Sequence, residues 1–211
     1  MTNPILVVMK KETRDSLRDT RSLIAALSYA LMGPVVVGMV SMAARVDGVL
    51  IGMMTVFTLV AGFVGGMSVA MDTIAGERER HSLAPLLTTP VRRREIVLGK
   101  WLAVVLFAAA GLALNLAGFA IVFARAGLGP RMLRAAPEIL AGVLPLALLA
   151  AALQLLVSTV CRAAKEAQTY LSMLVFLPMG LGMFQVFFAA GAGKWLAFVP
   201  LAGQQLQSRG Q

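Results

Sequence analysis

Four side chains able to carry acid–base chemistry lie close together in this sequence: Asp72, Glu77, Glu79 and His81. Carboxylates beside an imidazole are what a hydrolase uses to move protons or to hold a metal ion. A zincin needs two histidines four residues apart with a glutamate beside the first. His81 is the only histidine among 211 residues, so that spacing cannot be met, and His81 reads as an exposed loop residue. A P-loop would need Gly-Lys followed by Ser or Thr, but Gly99-Lys100 precedes Trp101 and Gly193-Lys194 precedes Trp195. The single cysteine, Cys161, has no second thiol for an internal disulfide and no histidine cluster for a metal site. No catalytic, cofactor-binding or metal site is therefore expected in this chain. A membrane enzyme built on the loop from Asp72 to His81 stays open as an alternative.

The elements that must position these residues are set by an excess of apolar sequence. Hydrophobic residues make up 59% of the chain and charged residues 14%, where a soluble domain carries roughly 25% charge. Charge-free runs separate the charged segments: 23 residues between Arg21 and Arg45, 24 between Asp47 and Asp72, 24 between Lys100 and Arg125, 23 between Glu138 and Arg162, and 27 between Glu166 and Lys194. Each exceeds the roughly 20 residues that cross a hydrocarbon core. The fold class is therefore all-α, a polytopic helical membrane protein with five transmembrane helices. Residues 196–201 read as the lead-in to another hydrophobic element, so the chain is expected to stop before a sixth span.

Basic residues resist translocation and stay on the cytoplasmic side. The N-terminal segment, the loop 72–100 and the turn holding Arg162 and Lys165 together carry 13 of the 19 Lys and Arg residues, leaving 6 for the opposite face. The N-terminus is thus expected in the cytoplasm. The net charge of +9 is then explained by the anionic face of a bilayer, without nucleic acid. Residues 1–21 read as an amphipathic interfacial segment, with Ile5, Val8 and Met9 on one side and Leu17 and Leu23 further along. Residues 22–194 form the transmembrane domain, and 195–211 an extracytoplasmic tail.

Inside the spans no acid is expected, because all ten lie at or beyond the ends of the apolar runs, and this leaves no buried carboxylate relay. Ser28, Thr55, Thr58, Ser68, Asn115, Gln154, Ser158 and Gln185 are read as interhelical hydrogen-bonding groups, and Gly62 and Gly66 as a small-residue packing face. Pro34, Pro145 and Pro178 are expected to bend three of the helices. The loop 72–100 reads as helix, break, helix. Gly76 ends the second span as a left-handed cap, Glu77 to Thr88 form a short helix, and Thr89 with Pro90 start the next one. Such a short helix, held between two spans and carrying both signs of charge, could pass a push from a partner into the membrane.

The string AGERERHSLAPLLTTPVRRREIVLGKW, residues 75–101, resembles the signature of ABC type-2 exporter permeases. The opening KKETRDSLRDTRSL, residues 10–23, is similar to the N-terminal elbow of the branch that includes sodium-extruding permeases, and RAAKEAQTYLSMLVFLPM, residues 162–179, resembles the turn between helices four and five of that branch. The resemblance implies a membrane-spanning subunit with six helices, a multi-pass protein of the bacterial cytoplasmic (inner) membrane that does no bond chemistry itself. It implies a second permease subunit, identical or paralogous, and a cytoplasmic ATPase subunit that binds ATP and Mg and docks on the loop between helices two and three. By this likeness Glu77, Arg78, Glu79, Arg80 and His81 are ATPase-contact positions of a coupling helix, and Leu83, Leu86 and Leu87 hold it against the membrane domain. Two departures from the family pattern are the missing sixth span and the tight turn at residues 44–48, where that branch often has a large extracytoplasmic domain. A channel or secondary carrier working alone is the other alternative.

Overall fold

The computed structural model describes residues 4–43, 47–81, 91–127 and 129–188, and among these all regular structure is helical. The elements are α1 (Pro4–Arg18), α2 (Thr20–Ala43), α3 (Asp47–Val64), α4 (Met67–Ala70), a π-helical turn (Met71–Gly76), α5 (Glu77–Glu79), α6 (Arg93–Arg125), α7 (Gly129–Val160) and α8 (Ala164–Phe188). Four helices among the described residues are long and apolar enough to cross a membrane: Leu23–Met42, Gly52–Glu79, Arg93–Arg125 and Ile139–Val160. The fifth expected span begins within α8, and its far end, with the tail 195–211, lies outside the described residues.

The second span is the centre of the bundle: α3 packs against α2, α6, α7 and α8. It is 67% buried within the protein, against 22% for the first span, so most of the first span's surface is left uncovered by this chain. Glycine allows the close approach that replaces a hydrophobic drive between helices in lipid. A Cβ on Gly66 would fall 2.7 Å from Val104 Cγ1, and one on Gly118 would fall 2.6 Å from Pro34 Cγ. Around these contacts Val69, Ala70 and Ile74 pack on Ala103, Val104, Ala151 and Leu155. Val37, Leu50 and Met54 pack on Phe119 and Phe123 at the other end of α6.

Among the intramembrane polar groups, Thr58, Asn115 and Gln154 act as the glue expected of them. Asn115 Nδ2 donates to the Ala30 carbonyl at 2.8 Å, and Thr58 Oγ1 donates to the Met54 carbonyl at 2.7 Å with Asn115 Oδ1 3.1 Å away. Gln154 Nε2 donates to the carbonyl of Phe63, one residue before α3 ends at the Gly65–Gly66 pair. Ser28 differs, since its hydroxyl stays within its own helix on the Ile24 carbonyl.

Two local expectations are overturned. Gly76 is not a left-handed cap: with φ −65° and ψ −41° it sits in the right-handed helical region, and the helix runs on through Glu79. Among the described residues of this segment, the one with positive φ is His81, at 56°. The helix continues because Glu77, Arg78 and Glu79 all find partners on neighbouring helix ends, which offsets the cost of extending it. Nor does the helix of the third span include Val91 and Arg92, as a start at Thr89 and Pro90 would require. It starts at Arg93, where the Glu95 carboxylate accepts the Arg92 N–H at 3.2 Å and satisfies one orphan donor of the first turn. Residues 82–90, with Leu83, Leu86 and Leu87, lie outside the described residues.

Candidate functional site

At 1.5 Å per residue the 33 residues of α6 extend about 50 Å, well beyond a hydrocarbon core of about 30 Å. Its first turns, which precede the charge-free run that starts after Lys100, meet α1. The approach depends on Gly99, where a Cβ would lie 2.7 Å from Val8 Cβ and 3.0 Å from the Ile5 carbonyl oxygen. Ile5, Val8 and Glu12 fall on one face of α1, so the same docking that seats Val8 on Gly99 carries Glu12 to Lys100. Met9 packs toward the core as well. Leu17 does not share that side: it is exposed together with Leu6 and Val7.

Lys100 is the node of the site. Its side chain is only 3% exposed, and its ammonium has three acceptors for its three protons: Glu12 Oε1 at 3.0 Å, Glu77 Oε2 at 2.8 Å and the Thr73 carbonyl oxygen at 2.6 Å. Lys11 closes the cluster from the outside, 2.9 Å from Glu77 Oε1 and 3.1 Å from Glu12 Oε1. Two ammoniums and two carboxylates cancel, as charges withdrawn from water must. Partial burial pulls the Lys11 pKa down, but the hydrogen bond and charge of Glu77 and the charge of Glu12 outweigh it, leaving the group above its ordinary value. Glu12 and Glu77 are both buried. They do lie at the ends of the apolar runs, as expected, but three segments converge there and exclude water.

The residues that follow the second span are tied down in turn. Arg78 Nη1 donates to the Cys161 carbonyl at 2.9 Å, and the Glu79 carboxylate accepts the Ala164 N–H at 3.0 Å, both in the turn between α7 and α8. One helical turn earlier, Ser158 Oγ accepts the Ala75 N–H at 3.1 Å. Arg80 reaches only Asp72, at 3.5 Å with both side chains well exposed, and His81 is exposed. The acid and histidine residues singled out for chemistry are thus not gathered into one centre. Glu77 faces lysines, Glu79 caps α8, Asp72 meets Arg80, and His81 points outward.

Sequence reading missed Glu12, Lys11 and Lys100. A signal existed for Lys100, a charge directly after a glycine where the apolar run of α6 begins. Its pairing with Glu12 and Glu77, 88 and 23 positions away, had no signal.

Comparison with known proteins decides the class. A family model described as ABC-2 family transporter protein matches residues 6–205. The chain belongs to the ABC-2 transporter family. It is also 35% identical over 130 residues to the ABC transporter permease protein NatB of Bacillus subtilis (strain 168), a match that covers 56% of this chain and 32% of that protein. The chain thus spans about a third of that relative's length. As an ABC-2 permease it is a multi-pass integral protein of a bacterial cytoplasmic membrane. In this ABC-2 permease the buried ion cluster lies at the base of the segment joining the second and third spans.

Proposed function

We propose that this chain is the membrane-spanning permease subunit of an ATP-driven exporter, moved by a separate ATPase that docks on the segment between its second and third spans. ATP and Mg are bound by that partner, and a second permease subunit completes the transport path. The observation that carries the reading is the way α5 is anchored: Glu77 to α1 and α6, Arg78 and Glu79 to the turn between α7 and α8. A displacement applied just beyond α5 reaches four other helices through short polar contacts, which are stiff, rather than through a loose loop. Arg80 and His81, exposed and past the last anchored residue, are the docking positions, whereas Glu77 serves the internal clasp.

On this reading the N-terminus lies on the ATPase side, and α1 lies in the membrane interface. One stripe of α1 exposes Leu6, Val7 and Leu17 beside Lys10, Arg14 and Arg18, a pattern suited to acyl chains and anionic headgroups. The test is capture of the permease from membranes with its ATPase. The pair Arg80→Ala and His81→Ala should lower the amount of ATPase recovered while membrane insertion stays at the parent level. Undiminished recovery would refute docking at these positions.

A further inference from the structure

The π-helical turn Met71–Gly76 inserts one residue into the second span just before the clasp. In an α-helix the Thr73 carbonyl would accept the Glu77 N–H, and the Met71 carbonyl would accept the Ala75 N–H. In the π turn the backbone pairs each N–H with the carbonyl five residues back instead. The Thr73 carbonyl takes a proton of Lys100 at 2.6 Å, and the Ala75 N–H donates to Ser158 Oγ at 3.1 Å. The Thr73 carbonyl and the Ala75 N–H, each of which an α register would pair within the helix, are thus engaged by two side chains, one from α6 and one from α7. π turns of this kind recur at functional sites.

The downstream partners fit only the π register. Converting the π turn to α with the chain unchanged would turn everything after Gly76 by about 100° and advance it along the axis by about 1.5 Å. Gly76 would then stand where Glu77 stands, leaving Lys100 without that carboxylate. Glu77 would stand where Arg78 stands, its carboxylate against the Cys161 carbonyl oxygen. Lys100 and Ser158 favour the π register through the backbone, and Lys100 favours it again through Glu77.

We propose that Lys100 and Ser158 are positioning residues that hold the second span in one of two registers, and that exchange between π and α at Met71–Gly76 turns the segment bearing Arg80 and His81. The importance of that turn for transport rests on the ATPase-docking reading above; the existence of two registers does not. The test therefore uses the full-length permease alone, in lipid nanodiscs and diluted with unlabelled protein, so that its outcome is independent of ATPase capture. Spin labels are placed at Arg80→Cys and Leu98→Cys, both exposed positions, in a Cys161→Ala background, and the distance between them is measured.

A 100° turn moves side-chain tips on a helix 10–12 Å across by roughly 8 Å. The parent should show one distance. Lys100→Met combined with Ser158→Ala should add a discrete second population displaced by several ångströms, and restoring Lys100 should return most of it to the first. If the double variant does not fold, Ser158→Ala alone decides, with a smaller but discrete second population expected. A single parental distance in the folded variants overturns the proposal, and so does simple broadening without a new peak, because that is what a loosened contact with only one register would give.

Discussion

Lys100→Met and Glu77→Gln, made singly and together, measure what the buried clasp is worth. Their nitrogen and oxygen lie 2.8 Å apart with side-chain exposures of 3% and 11%. Water screens this pair little, and either partner left alone is a charge held out of water. Breaking such a pair from one side costs about 3–5 kcal/mol. Lys100→Met should sit at the upper end, because it takes the buried ammonium from both Glu12 and Glu77. Glu77→Gln should sit at the lower end, because Glu12 still faces Lys100. The double variant should cost clearly less than the two singles combined, with a coupling of about 2 kcal/mol or more. Asp72–Arg80 is the control, at 3.5 Å and with exposures of 39% and 71%; a pair in water of this kind couples by about 0–1 kcal/mol. The assay is reversible unfolding in mixed micelles by titration with a denaturing detergent, with all six variants measured together. A coupling for Lys100–Glu77 no larger than that for Asp72–Arg80 would refute the view that the site is desolvated and tightly paired.

Gly99→Val adds atoms where a Cβ alone would stand 2.7 Å from Val8 Cβ, so α1 should lift from α6 at a cost of about 1–3 kcal/mol, and limited proteolysis within residues 4–18 should speed up; unchanged cleavage would contradict the packing. Asn115→Leu removes the donor to the Ala30 carbonyl and the partner of Thr58, and an unfolding titration should show a loss of about 1–2 kcal/mol, whereas a gain would mean the bond contributes nothing net. Lys11 is held above its ordinary value of 10.5. Its contribution to stability is therefore complete below about pH 10.5 and fades as pH rises through the raised folded value. Melting curves of the parent and of Lys11→Met should accordingly converge at high pH, and a constant gap across that range would count against it.

Much of the helical plan could be read from charge spacing alone. The first four charge-free runs coincide with helices able to cross a membrane, because a stretch without charges that long has no stable place in water. Asn115, Gln154 and Ser158 were also legible as interhelical groups, since a polar side chain in hydrocarbon must find a partner. The ends of elements were harder. Gly76 carries the residue type of a left-handed cap, but tertiary contacts to Glu77, Arg78 and Glu79 carry the helix past it, and local propensity cannot anticipate partners from residues 100, 161 and 164.

The sequence by itself determined the class of molecule, the length and approximate limits of its helices and the segments left outside the apolar runs, because partition between water and hydrocarbon depends on composition over windows of about 20 residues. Tertiary structure alone decided that Glu12, Glu77 and Lys100 share one desolvated site and that the second span carries a π turn beside it. Both depend on which faces three distant segments turn toward one another, and that is settled by the fit of Val8 on Gly99 and by the pairing of buried charges, neither of which has a local signature.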